Sequence, residues 1–386
     1  MDIYRFRLPG FERTFTRKSR NRGYLVILQA KKKSREAMDD SAQEMEELVR
    51  SVAVQKVGVV KAFIPHPSPS HFLREGKLRE IREDVEKCNA EILIFNIDLS
   101  STQANNIEAF TGIPVVDRTG LILEIFGRRA KSKEGKLQVE LANLQYALPR
   151  LRGLGGVMSR LGGGIGTRGP GEQELEKDRR KVRHRIERVK EELRHVQKHR
   201  GLVRQGRKKK RFISIALVGY TNAGKSTLLN SLTGAKAVVE DKLFATLDPM
   251  TRLQSINGHR DLLFVDTVGF IRDLPHTLVE SFQATLEEVA EADVLIHVLD
   301  VSHPRAEDFK IAVEKVLEQI DADQKTCVLA LNKADLLNEE QKKFVSGLWP
   351  QGILVSAKER WGLEPLLDKV DQVAHGRVSR GLKTPE

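Results

Sequence analysis

Short apolar runs alternate with helical spacings along the first third of the chain. Residues 24–29, 57–63 and 92–96 have strand length and strand composition. Between them, Ser41 to Val52 and Leu78 to Ala90 place apolar residues at helical steps. Strand–helix alternation predicts a small α/β domain with a mostly parallel sheet over 21–130. Gly76-Lys77 and Leu99-Ser100-Ser101-Thr102-Gln103 are polar features at element ends, and their spacing defines no site. Residues 1–20 carry several Arg and Lys without periodicity and read as an extended basic arm.

A different pattern follows over 131–210. Leu137, Leu141, Leu144, Leu148 and Leu151 step by 4, 3, 4, 3, and Val182, Ile186, Val189, Leu193 and Val196 do the same, with Leu175 upstream. Such narrow stripes suit two helices packed along one seam. Neither stripe reaches the four heptads of an independent coiled coil, so an antiparallel intramolecular pair is expected. The connector 153–171 holds nine glycines among its 19 residues, with Arg160 and Arg168 and no acidic residue before Glu172. Glycine allows close backbone approach, and the two arginines can pair with phosphate. A connector longer than most helix–helix joints points to function, in a narrow anionic cavity.

In the last third, apolar runs 212–218, 262–265, 327–331 and 353–355 predict buried strands of a second α/β domain over 211–375, with 376–386 as a tail. The first run ends in Gly219-Tyr220-Thr221-Asn222-Ala223-Gly224-Lys225-Ser226, a complete phosphate-binding loop followed by helical spacing. Its glycines let successive N–H groups turn inward, and the helix N-terminus adds donors. Lys225 can reach the β- and γ-phosphates, and the Ser226 hydroxyl can ligate Mg²⁺. The second run ends in Asp266-Thr267-Val268-Gly269, 47 residues after Gly219. There Asp266 would hold Mg²⁺ through water or directly, and the Gly269 N–H would meet the γ-phosphate. The third run precedes Asn332-Lys333-Ala334-Asp335. Asp335 is an acceptor-only carboxylate that matches the N1–H and exocyclic amine of guanine. The Lys333 stem can cover the base plane. Ser356-Ala357-Lys358 falls where a last base-contacting loop belongs. Together these point to a guanine nucleotide. Between the first two motifs a switch threonine is needed, and spacing admits both Thr246 and Thr251.

Composition narrows the partners. The net charge is +12, and residues 172–210 hold sixteen Lys/Arg against seven Asp/Glu. This concentration favours a phosphate-rich partner, RNA before an anionic membrane surface. Cys88 and Cys327 give no disulfide framework and suit a reducing compartment. No apolar run approaches 18 residues and no signal-type segment opens the chain, so the cytoplasm is expected, with peripheral membrane association left open.

Over nearly its full length the chain resembles the HflX-type GTPases of the Obg–HflX group. The stretches that carry this are Val116-Asp117-Arg118-Thr119, Glu134 to Leu141, the glycine-rich run through Gly169-Pro170-Gly171-Glu172, Phe244-Ala245-Thr246-Leu247-Asp248, and Asp266 to Ile271. The resemblance selects Thr246 as the Mg²⁺-linked switch threonine and places Phe244 to Asp248 beside the nucleotide. Lys225, Thr246 and Gly269 are then the residues expected to touch the reacting phosphate. It also implies an N-terminal α/β domain, a helical hairpin, a C-terminal P-loop domain, and a monomer that binds the large (50S) ribosomal subunit. There it would split or rescue stalled and idle ribosomes under stress, its glycine-rich tip near the peptidyl-transferase region. A large-subunit assembly checkpoint is the alternative, and a membrane-recruited signalling GTPase a third class. Phe270 stands where many GTPases carry a water-orienting Gln, so slow, partner-stimulated hydrolysis is expected.

Overall fold

The computed structural model describes residues 22–29, 35–151, 170–209, 212–234, 243–244, 247, 250–256, 260–271 and 283–381. The arm 1–20, Arg160, Arg168, Ala245, Thr246 and Asp248 lie outside these residues. The described residues form two compact units, one within Met1–Arg128 and Lys136–Leu193, the other within Arg129–Gly135 and Arg194–Glu386.

The first unit is built on strands β1 (Arg22–Gln29), β2 (Gln55–Phe63), β3 (Ile92–Phe95) and β4 (Val115–Val116). Their order is β2-β1-β3-β4 and every pair is parallel. The uninterrupted apolar run of β1 makes it central, with Leu25, Val26 and Ile27 fully buried. Gly58 lets β2 pass the Tyr24 ring, since a Cβ there would lie 2.5 Å from it. Helices α1 (Arg35–Ser51), α2 (Glu75–Cys88), α3 (Ser101–Thr111) and α4 (Arg118–Arg129) alternate with the strands, as parallel pairing requires. Helix α3 starts at a capping box formed by Ser100 and Gln103. That box is the structural meaning of the polar run Leu99 to Gln103.

Helix α5 (Lys133–Arg150) and the 40-residue α6 (Pro170–Lys209) form the expected hairpin. Leu137, Leu141 and Leu144 on α5 and Val182, Ile186, Val189 and Leu193 on α6 are buried. Arg185 grips Glu140 with two hydrogen bonds of 2.6 and 2.8 Å. Three details depart from the sequence reading. Pro170 and Gly171 belong to α6, with proline at the first helical position, where its missing N–H costs nothing. The hairpin through Leu193 shares the first unit rather than standing as a segment of its own. Burial on α5 exceeds a narrow stripe, because Val139, Ala142 and Ala147 are buried too. The C-terminal end of α5 is tied to the end of β4. Tyr146 donates its hydroxyl to Asp117 Oδ1 at 2.7 Å, and the Arg150 guanidinium pairs with Oδ2. Burial pushes the Asp117 carboxyl up, against the pull of Arg150 and of the Gly120 N–H bond.

The second unit contains β5 (Ile213–Val218), β6 (Met250–Ile256), β7 (Arg260–Asp266), β8 (Val294–Asp300), β9 (Cys327–Asn332) and β10 (Ile353–Leu354). Their order is β10-β9-β8-β5-β7-β6, parallel except for β6 against β7. Helices α7 (Lys225–Thr233), α8 (Gln283–Glu291), α9 (Ala306–Gln319), α10 (Glu339–Leu348) and α11 (Leu363–Gly381) complete it. Ile215, Leu217, Leu228, Phe264, Ile296, Val298 and Leu366 pack into one core. Helix α11 runs to Gly381, so residues 376–381, read as tail, continue it.

Candidate nucleotide-binding site

Strand order reverses around β5, and in an open parallel sheet the crevice beyond the strand ends at such a point receives ligands. Residues 219–226 emerge there. Gly219 passes so close to β8 that a Cβ would meet the Val298 carbonyl at 2.3 Å. Gly224 has φ 91°, and a Cβ there would lie 2.4 Å from Asn332 Nδ2. Asn222 also adopts a positive φ of 61°, which Asn tolerates better than most residues. The loop is thus fixed by its neighbours as well as by its own backbone.

Lys225 is buried and bridges the loop, donating to the carbonyls of Gly219 and Tyr220 at 3.0 Å each. Burial lowers its ammonium to about 8, partly opposed by Asp266. Ser226 donates its hydroxyl to Asp266 Oδ2 at 2.6 Å. Hydroxyl and carboxylate therefore meet at the mouth of the loop, with Asp266 fully buried at the end of β7. Thr267 turns inward and donates to the Leu217 carbonyl at 2.6 Å. Val268 is buried. Gly269 lies against the loop, where a Cβ would approach Thr221 Cα at 2.8 Å and Lys225 Nζ at 3.1 Å. Not every loop N–H faces inward. That of Thr221 donates to the Phe270 carbonyl at 2.7 Å, and that of Ala223 to the Tyr220 carbonyl at 3.2 Å.

The base-side motifs converge on the same loop. Asn332 is buried, donates to the Ala223 carbonyl at 2.8 Å and accepts from the Ala357 N–H at 3.0 Å. One side chain thus staples three segments together. Ala334 N–H donates to the Val355 carbonyl at 3.1 Å, and Ser356 Oγ accepts from Glu359 N–H at 3.1 Å. Lys333 has φ 63° and pairs with Asp300 at 2.6 Å, while Asp335 and Lys358 are exposed at the mouth. Asp300 was not singled out in the sequence, although an acid ending the run 294–299 was a usable signal. The stacking of Tyr220 on Phe309, with centroids 4.1 Å apart, carried no sequence signal. Of the switch segment, Leu243, Phe244 and Leu247 are described and buried, whereas the Thr246 assignment falls outside the described residues. Thr251 stands on β6 opposite Val265, inside a paired strand.

Comparison with known proteins finds GTPases over the same residues. Family models described as "GTP-binding GTPase N-terminal", "GTP-binding GTPase Middle Region" and "50S ribosome-binding GTPase" match residues 39–127, 129–207 and 214–333. GTPase HflX of Caldanaerobacter subterraneus subsp. tengcongensis is 49% identical over 334 residues, covering 86% of this chain and 77% of that one. GTPase HflX of Escherichia coli is 41% identical over 343 residues, covering 88% and 80%. A crystal structure of SsGBP in complex with GDP aligns with a TM-score of 0.50 at 28% identity, over 92% of this chain and 99% of that one. With a phosphate loop, a carboxylate at its mouth and guanine-type motifs on one crevice, and with such relatives, this chain is a GTP-hydrolysing member of the HflX family of GTPases.

Proposed function

We propose that this GTPase is a ribosome factor that binds the large subunit and splits or rescues stalled ribosomes under stress. The observation that carries the reading is the match of residues 214–333 to the "50S ribosome-binding GTPase" model. The excess of positive charge on α6 supports it. Arg180, Lys181 and Arg183 are exposed, although each also pairs with Glu176 or Asp178 of the same helix. The sixteen Lys/Arg over 172–210 outnumber seven acids, in keeping with an RNA-facing surface.

The donor set fits a magnesium ion. The Ser226 hydroxyl and the Asp266 carboxylate meet at 2.6 Å, and hard oxygen donors of this kind suit Mg²⁺. Ser226 and Thr246 would ligate the ion directly and Asp266 through water. When bound, it would neutralise charge developing on the phosphates. Lys225 holds the β- and γ-phosphates, and Gly269 offers its N–H to the γ-phosphate. Phe270 cannot orient water, because its side chain is apolar and buried. Turnover therefore waits for the ribosome, which orders the switches; Arg160 and Arg168 would contact ribosomal RNA from the hairpin tip.

The test is sedimentation of mature 70S ribosomes with the purified chain under GTP, a non-hydrolysable GTP analogue or GDP. Subunit separation under the triphosphates only is expected. Binding confined to precursor large-subunit particles would identify an assembly checkpoint instead, and binding confined to anionic vesicles a membrane role. Full-rate hydrolysis without ribosomes would refute partner stimulation. Among the described residues no helix is long and apolar enough to cross a membrane.

A further inference from the structure

The phosphate-loop motif leaves the position of Thr221 open to any residue. In this chain it is held on two sides. Its backbone N–H donates to the Phe270 carbonyl at 2.7 Å, and Phe270 N–H returns a bond to the Gly219 carbonyl at 3.1 Å. Its side-chain Oγ1 accepts from the Phe244 N–H at 2.9 Å. Phe244 is a non-glycine residue with φ 55°, a conformation that needs support from outside. Both phenylalanine side chains are buried to within 2% of complete. Gly269 packs on the same residue, with no room for a Cβ beside Thr221.

On the switch assignment proposed above, these two attachments lead to the two segments that sense the γ-phosphate. Phe244 lies two residues before Thr246, and Phe270 directly follows Gly269. We propose that Thr221 is a positioning residue for hydrolysis, linking the first switch segment through its hydroxyl to the second through its amide. Each switch then has an anchor on the loop besides the nucleotide. The hydroxyl specifies the link, since valine keeps the volume but cannot accept a hydrogen bond.

The test uses the full chain as Thr221→Val and Thr221→Ser, with GTP affinity and single-turnover hydrolysis measured separately. Loss of one hydrogen bond should slow hydrolysis by Thr221→Val roughly fivefold while GTP affinity changes less than about twofold. Thr221→Ser should stay within about twofold of the parent rate. Hydrogen exchange reads the same bond without turnover. The Phe244 amide should exchange at least about fivefold faster in Thr221→Val, with the Leu217 and Val265 amides unchanged. An unchanged hydrolysis rate in Thr221→Val, a serine variant as slow as valine, or an unchanged Phe244 exchange rate would each overturn the proposal.

Discussion

Asn332 offers the sharpest quantitative test of the site. Its side chain makes two buried bonds, to the Ala223 carbonyl and from the Ala357 N–H. Asn332→Ala leaves both backbone groups without that partner. Each orphaned buried group costs about 1–3 kcal/mol. Ala357 is 3% exposed and Ala223 1% exposed, so water reaches them only if the loops move. In the nucleotide-free protein the loops can relax and recover part of the loss. With nucleotide bound they must hold their places, so most of the cost falls on binding. A net loss of about 2–4 kcal/mol corresponds to a Kd for GDP raised roughly 30- to 1000-fold. Asn332→Asp should be no better, because it sets a carboxylate against the Ala223 carbonyl while keeping the acceptor for Ala357. Calorimetric titration with GDP at fixed Mg²⁺ measures this, with a thermal melt to establish folding. A folded Asn332→Ala protein that binds GDP within threefold of the parent would show that the staple is not needed and that the three loops hold themselves.

Other outcomes follow from the same geometry. Lys225 has a folded value of about 8, below the ordinary 10.5, because burial disfavours its charged form, so in the free protein the neutral form predominates only above about pH 8. Its contribution to stability is complete above about 10.5 and is lost as pH falls towards 8. Phosphate binding restores the charge, so titrations at pH 8.5 in buffers of different ionisation enthalpy should show uptake of about 0.7 proton per GTP; uptake under about 0.2 would contradict the depressed value. Asp335→Asn should remove most of the preference for GTP over adenine nucleotides, measured by competition, whereas unchanged selectivity would refute its role. Arg150→Met leaves the Asp117 carboxyl buried without its cation and should destabilise the first unit by about 3 kcal/mol, seen as faster amide exchange in β3 and β4. Asp117→Asn in the same chain should recover part of that loss.

The chemistry of the second unit was legible because its motifs are local. Eight consecutive residues define the loop, and Asp266, Asn332 and Ser356 each end an apolar run that gave its strand away. What escaped was what lies between segments. Asn332 read as a base-side residue, yet its two bonds reach Ala223 and Ala357, and no spacing rule reports that. Strand β4, Val115–Val116, is two residues long and offers no period to detect. The seam of α5 was legible, but its second buried set was not, since periodicity reports one partner and α5 also has its end tied to Asp117. Thr251 qualified by spacing until the register of β6 against β7 placed it opposite Val265. The capping box at Ser100 was readable, and the polar run was instead left without a role.

The clamp at the end of α5 has a mechanical consequence. Asp117 receives the Tyr146 hydroxyl, the Arg150 guanidinium and the backbone N–H groups of Leu99 and Gly120, and the Arg150 guanidinium lies 3.5 Å from the centre of the Tyr146 ring. Arg150 is the last residue of α5, immediately ahead of the glycine-rich stretch. Tension applied to that stretch therefore meets a fastened hinge-post rather than a fraying helix end. The load passes into the loops that follow β3 and β4, and a tug at the far end of the hairpin becomes a strain on the N-terminal sheet.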